Sequence, residues 1–474
     1  MSTSTLVAQP EPLGRTWLPV VALAGLSLLV GVAIGQPDRG PLLELAAVLG
    51  GGLVLWAFVR PRGALWLLLT ATITLPFFPV TSTRGANLVD VLLLPTLFGA
   101  WYWSSRSESA HPGGVEASRI HRGFVRAGMA YYGLALLSLF LQGARGDVAQ
   151  ALDSLLALIR SLQGVCYFYL VTRLVRSTRD LYHARNAMLV GLIVSLVVNV
   201  VGMTGFGVTR AGAAWNLLVQ GWFLSGPNEA GFGVVFVWAL ILALPMKRWL
   251  RIPLLVSSVA LLIATQSRSG ILAWLTFVVL FGMRGGRRKV LLAPLALLLL
   301  FPLLPEDWTR RIIRTIFLER GTFEAYSSLI RLYAWKTALA MIVAHPLSGV
   351  GYLGFRFYSD AYNSLSLPLG TTENFLLETV AGQGLVGLLP VAWLGWLFHR
   401  LGGTALRNCP HGSAGYGFGS VTPPLLAATV VANMTGDILA GMMGVAQMSV
   451  FAGLLLQALR VGSDSGGTPQ DRRA

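Results

Sequence analysis

Apolar runs separated by short polar or glycine-rich breaks recur along the whole chain. A helix of about 18 or more apolar residues can cross a bilayer. About fourteen such spans are predicted by this pattern, at roughly 17–35, 41–59, 64–80, 87–104, 128–142, 152–172, 187–203, 227–246, 252–267, 269–283, 290–304, 373–398, 420–435 and 441–460. The reading is an all-α polytopic membrane protein of about 12–14 transmembrane helices. It divides into an N-terminal bundle of about eleven spans over 1–304, a helical segment at 305–372, and C-terminal helices with a tail over 373–474.

Composition supports the bilayer as solvent. Of 474 residues 54% are hydrophobic and 12% charged, with a mean hydropathy of +0.66, whereas soluble domains average about 25% charged residues. The 54 glycines and 14 tryptophans suit helix packing and interfacial anchoring. Cys166 lies in an apolar run and Cys409 in a charged loop, so neither a disulfide nor a metal cluster is expected. The first apolar run is read as an uncleaved helix, although Ala33–Ile34–Gly35 faintly resembles a cleavage site.

The net charge of +16 raises the question of nucleic acid. Its distribution answers it. When the loops are assigned alternately from a cytoplasmic N-terminus, nearly two thirds of the 36 Lys and Arg fall on one side, in stretches such as RLVRSTRDLYHAR, MKRWLR and RGGRRK. That is the positive-inside pattern: it places both termini in the cytoplasm, and no nucleic-acid partner is expected.

Four places hold charge that topology does not require. In GVTRAGAAWNLLVQGWFLSGPNEAGFG, Arg210 lies in a glycine-rich outer loop and Asn228 opens the next helix. That helix start is either an ordinary cap or an anion site. In ATQSRSGILAW, Arg268 occupies a tight outer turn between two short spans. It is either an arginine snorkelling at an interface or a functional charge, since a cation at bilayer depth costs roughly 2.5–3.5 kcal/mol. Arg160, with Gln163 one turn on, lies inside a span and either forms a structural ion pair or faces a cavity. The fourth place is 305–372. It begins with an amphipathic pattern around Arg310, Arg311 and Arg314, continues through Arg331, and ends at TTENFLLETVAGQGLVG. Thr371 and Thr372 are N-cap candidates there, with Glu373 and Asn374 in the first turn.

Arginines gathered with a single carboxylate suit an anionic diphosphate. The guanidinium fork grips phosphate oxygens, and a departing diphosphate needs its charge neutralised. No Asp-rich loop is present to hold Mg²⁺. The pattern points to a metal-free, cofactor-free reaction on a lipid-linked diphosphate. Glu373 is then either the general base for an acceptor hydroxyl or simply a partner for the helix dipole.

The stretches GPNEAGFG, TQSRSG, RLYAWKTALAMIVAHPLSGVGYLGF and ENFLLETVAGQGLVGLL, in this order over roughly residues 200–400, resemble the O-antigen ligase/O-antigen polymerase superfamily. The resemblance implies a GT-C-like fold and an inverting, metal-independent glycan transfer from undecaprenyl diphosphate on the periplasmic face of the bacterial inner membrane. By position, Arg210 and Arg268 resemble the family's diphosphate-binding arginines, and Arg331 the arginine of its periplasmic helix. Asn228 and Asn374 and, from its place inside a span rather than from the resemblance, Arg160 complete the candidate substrate-binding set. Implied partners are the lipid-linked glycan, a glycan or lipid acceptor, membrane lipids and a chain-length regulator protein. Where family ligases carry His before the Asn, this chain has Glu373, which looks more like a repeat-unit polymerase than a ligase. Glu378 is expected to pair with a cation such as Arg160. A lipid-linked-sugar flippase is the alternative from another class; it would place charges through the full depth of a cavity.

Overall fold

The computed structural model describes residues 51–74, 88–106, 115–144, 147–205, 227–265, 267–284, 290, 309, 323–363, 369–436, 438–439 and 442–464. Within them every regular element is helical: α1 (described over Gly51–Val59), α2 (Pro61–Thr74), α3 (Leu88–Arg106), α4 (Val115–Ala144), α5 (Val148–Ser161), α6 (Gln163–Leu174), α7 (Thr178–Gly205), α8 (Pro227–Ala243), α9 (Arg248–Thr265), α10 (Arg268–Gly282), α11 (Phe323–Ala344), α12 (Phe355–Tyr362), α13 (Phe375–Gln383), α14 (Leu388–Asn408), α15 (Ala414–Met434) and α16 (Met442–Asp464). Among the described residues five helical segments are long and apolar enough to cross a membrane, or six if the bent pair α1–α2 counts as one. Two shorter apolar helices, α8 and α10, accompany them. This is an all-α, multi-pass membrane protein. The expected span at 17–35, and that at 290–304 apart from residue 290, lie outside the described residues.

The core sits around α8. Phe232 and Val234 through Ile241 are all at most 2% exposed, as expected of a helix that is apolar on every side. The helices α7, α9, α10, α15 and α16 pack around it. Gly231 of α8 and Gly270 of α10 approach so closely that a Cβ on Gly270 would lie 2.8 Å from the Gly231 Cα. That small-residue contact brings the starts of the two helices together.

Three expected boundaries are corrected. The span predicted at 128–142 begins at Val115, because the helix continues through the basic stretch RIHRGFVR. The span at 152–172 extends over Val148–Leu174 as one membrane-length stretch, with a one-residue interruption at Leu162 between α5 and α6. The span at 373–398 is broken: α13 ends at Gln383, a 3₁₀ turn covers Leu385–Gly387, and α14 carries the membrane-length stretch. The break has a local cause. Gly384 adopts φ 71°, a left-handed conformation that ends a helix at little cost only for glycine.

Candidate functional site

The opening of α13 differs from its sequence expectation. Asn374, not Thr371 or Thr372, is the N-cap: its side-chain oxygen accepts from the Leu376 and Leu377 N–H groups, each at 3.1 Å. Its amide nitrogen donates to the Met434 carbonyl at 3.3 Å, tying the turn to the end of α15. Thr372 is fully buried and already engaged. Its hydroxyl donates to the Asn374 carbonyl at 2.8 Å and accepts from the Asn374 N–H at 3.2 Å. Glu373 therefore precedes the helix. It is held at φ 47°, a left-handed conformation that costs a non-glycine residue roughly 1–2 kcal/mol. Strain of this kind concentrates at functional sites.

One face of α11 reads this turn. Ser328, Arg331 and Trp335 are spaced three and four residues apart and so share a helical face. Both Nε and Nη2 of Arg331 donate to Glu373 Oε2. The Trp335 indole N–H donates to the Thr372 carbonyl at 3.0 Å. One turn before Arg331, the Ser328 hydroxyl accepts from Arg268 Nη1 at 2.8 Å. Residues distant in sequence thus converge: the Arg268–Ser328 and Arg331–Glu373 contacts are both made from one face of α11.

Backbone pairing after α11 fixes its position. The loop SGVG docks on the end of α13: Val350 N–H donates to Ala381 at 2.9 Å, Gly351 to Gly382 at 2.9 Å, and Leu385 to Pro346 at 2.8 Å. The fit depends on glycine. A Cβ on Gly384 would lie 2.0 Å from the Leu347 carbonyl oxygen, and one on Gly349 (φ 62°) would lie 2.3 Å from Gly382.

Arg268 is the first residue of α10, behind the N-cap Ser267. A cation there opposes the helix dipole by about 0.3–1 kcal/mol, so an anion beside it would relieve the site. Asn228, in the first turn of α8, accepts from the Ser267 hydroxyl at 2.8 Å. Its side-chain oxygen therefore fastens α8 to α10 next to Arg268. Asn228 and Asn374 both act here as ties between elements.

A cavity of about 460 Å³ begins at the first turn of α13, lined there by Phe375 and Leu376. It continues among α4, α6, α14, α15 and α16 and is largely apolar. Its margin includes Met129, Val165 and Val430, all substantially exposed on the flank of the bundle. Tyr131, Tyr132 and Tyr352 give it a hydroxyl-bearing wall. Burial raises the Tyr352 phenol pKa, and the Glu378 charge adds to the shift. Glu378 is buried at 6% exposure and accepts from the Thr372 N–H at 3.3 Å.

Of the sequence candidates, Arg268, Arg331, Glu373 and Asn374 come together, with Asn228 beside them. Arg160 lies half-buried in the last turn of α5, outside the residues that line the cavity. Arg210 lies outside the described residues. The sequence reading missed Ser328, Trp335 and the structural role of Thr372. Their one signal was the helical spacing of 328, 331 and 335. Among the described residues, no group of three or more His, Cys, Asp and Glu gathers as metal ligands would.

No curated protein matches the chain. A family model does: residues 253–392, from α9 through the start of α14, match the family described as O-Antigen ligase. The matched stretch contains Arg268, Ser328, Arg331, Trp335, Glu373 and Asn374, so the region that holds these residues is similar to that family.

Proposed function

We propose that the chain is a bacterial inner-membrane glycosyltransferase with both termini in the cytoplasm. It moves glycan from undecaprenyl diphosphate on the periplasmic face and acts as a repeat-unit polymerase. The observation that carries this reading is the convergence of Arg268, Arg331 and Glu373 on one face of α11, beside an apolar cavity that starts two residues away. Cations next to an apolar, laterally reaching cavity suit a lipid diphosphate, with its head on the arginines and its tail in the cavity.

Without substrate, Arg331 is bound to Glu373. Their side chains are 22% and 37% exposed, and ion pairs this open contribute about 0–1 kcal/mol. A diphosphate presents more anionic oxygens than one carboxylate and competes for the guanidinium. Its arrival frees Glu373 to accept a proton. The acceptor hydroxyl oxygen then attacks the anomeric carbon from the face opposite the leaving group. The carbon–oxygen bond to the diphosphate breaks, and the configuration inverts. The hydroxyl proton passes to Glu373, and the diphosphate leaves as an anion neutralised by Arg268 and Arg331, with Arg210 as a third cation from the sequence resemblance. No protein-bound metal is required in this scheme. General-base catalysis contributes about 10²–10⁴-fold, and one charge-stabilising donor about 10²–10³-fold.

Glu373, where family ligases carry His, favours polymerisation. The family description, O-Antigen ligase, favours ligation. Lipid-linked glycans of a deletion strain separate the two. Accumulated single repeats support the polymerase, and long chains stranded on the carrier support the ligase. Unchanged glycans on both the carrier and the final acceptor defeat both.

A further inference from the structure

Thr372 is gripped from three directions. Its N–H donates to Glu378 Oε2, its carbonyl accepts from Trp335 Nε1, and its hydroxyl both donates to and accepts from the Asn374 backbone. The residue is 0% exposed, so water cannot substitute for any of these partners. The next residue is Glu373, in a left-handed backbone conformation that is costly for a side chain with a Cβ. Such a conformation persists only where the surroundings over-determine it. Glu378 is buried at 6% exposure, five residues after the turn it supports. A buried carboxylate is expensive to desolvate, so its presence calls for a role that a neutral apolar residue could not fill.

We propose that Glu378 is a positioning residue for Glu373, acting through the Thr372 N–H, with Trp335 completing the grip on the Thr372 carbonyl. Glu378 holds Thr372; Thr372 fixes the backbone at Glu373; the Glu373 carboxylate then meets Arg331. The inference rests on the proposed function for its effect on rate, but its geometric content does not. The role needs an acceptor oxygen rather than a charge, since a backbone N–H is the group received.

Two measurements on the full-length chain test it. The first is a double-mutant cycle of thermal unfolding in detergent, using Arg331→Ala and Glu373→Ala. The 331–373 coupling is expected in the native background and in Glu378→Gln, and is expected to vanish in Glu378→Ala. The second is glycan production in a deletion strain complemented with each variant at matched membrane abundance. Glu378→Gln is expected to stay within about 3-fold of wild type, and Glu378→Ala to lose about 10- to 100-fold, the scale of a misplaced catalytic group. Trp335→Phe, which keeps the ring and removes the N–H, should fall between them and serves if Glu378→Ala does not accumulate.

Coupling that survives in Glu378→Ala, or that is undiminished in Trp335→Phe where it stands in, overturns the positioning role. So does a Glu378→Gln variant as inactive as Glu378→Ala, which would show that charge rather than hydrogen bonding matters. If the coupling behaves as expected while Glu373→Ala retains normal glycan, the positioning stands and the catalytic reading of Glu373 falls.

Discussion

Arginines at the two ends of the bundle are held in different ways. At the end that the charge asymmetry assigns to the cytoplasm, the arginines have separate partners, each including an aromatic ring of its own helix. Arg173 stacks over Tyr169 at 5.5 Å, Arg185 over Tyr182 at 5.0 Å, and Arg400 over Trp396 at 5.3 Å. These rings lie three or four residues away, the spacing of neighbours on one helix face; Arg185 also donates to the Pro245 carbonyl at 2.7 Å, and Arg400 lies 3.8 Å from Glu116. At the Glu373 end, the partners of Arg268 and Arg331 lie 60 and 42 residues away in sequence. Long-range contacts occur at both ends; what distinguishes the Glu373 end is that one face of α11 meets both Arg268 and Glu373, whereas Arg185 and Arg400 each have partners of their own.

The largest effect should follow from removing the charges at the Glu373 end. Arg268→Ala and Glu373→Ala are each expected to lower long-chain glycan by at least about 100-fold at unchanged membrane abundance. Arg400→Ala should stay within about two-fold, since the half-exposed pair with Glu116 that it removes is worth only about 0–1 kcal/mol. Gel profiles of extracted glycan measure both, and equal sensitivity at the two ends would erase the contrast.

Next in size is Gly384→Ala. The added Cβ would meet the Leu347 carbonyl oxygen at 2.0 Å on a backbone with φ 71°. A loss of about 3 kcal/mol or more is expected from overpacking plus left-handed strain. It would appear as a lowered Tm or as protein missing from the membrane. Normal stability would mean that the loop after α11 does not need the contact that positions Arg331.

A smaller effect concerns Glu373 itself. Glu373→Gly relieves the left-handed strain, whereas Glu373→Ala keeps it, so the glycine variant should be the more stable of the two by about 1 kcal/mol. Both should be inactive. A glycine variant that melts below the alanine variant would show that the backbone there is unstrained. The smallest effect is reserved for the opposite end. Arg400 and Glu116 sit 3.8 Å apart, half-exposed, and breaking that pair should change stability by about 0.5 kcal/mol or less.

The helical, membrane-spanning character was legible because it rests on local composition. A run such as that from Phe232 to Leu244 is apolar wherever it is placed, and the bilayer forces it to be helical. Arg268, Arg331 and Glu373 were legible as candidates because charges that the expected topology does not require stand out without a structure. The broken span at 373–398 was harder to see. Gly384 hinted at it, but a glycine inside an apolar run is equally compatible with a continuous membrane helix. Only the docking of SGVG against Ala381 and Gly382 distinguishes the two.

Sequence alone therefore determined the solvent, the class of fold and the set of unusual charges, since each follows from transfer free energies that add residue by residue along the chain. Tertiary structure decided which of those charges meet. The Arg331–Glu373 pair, the Arg268–Ser328 contact and the grip on Thr372 depend on how α10, α11 and α13 are placed against one another. That placement comes from backbone pairing and glycine-sized gaps between segments far apart in sequence, which no local pattern encodes.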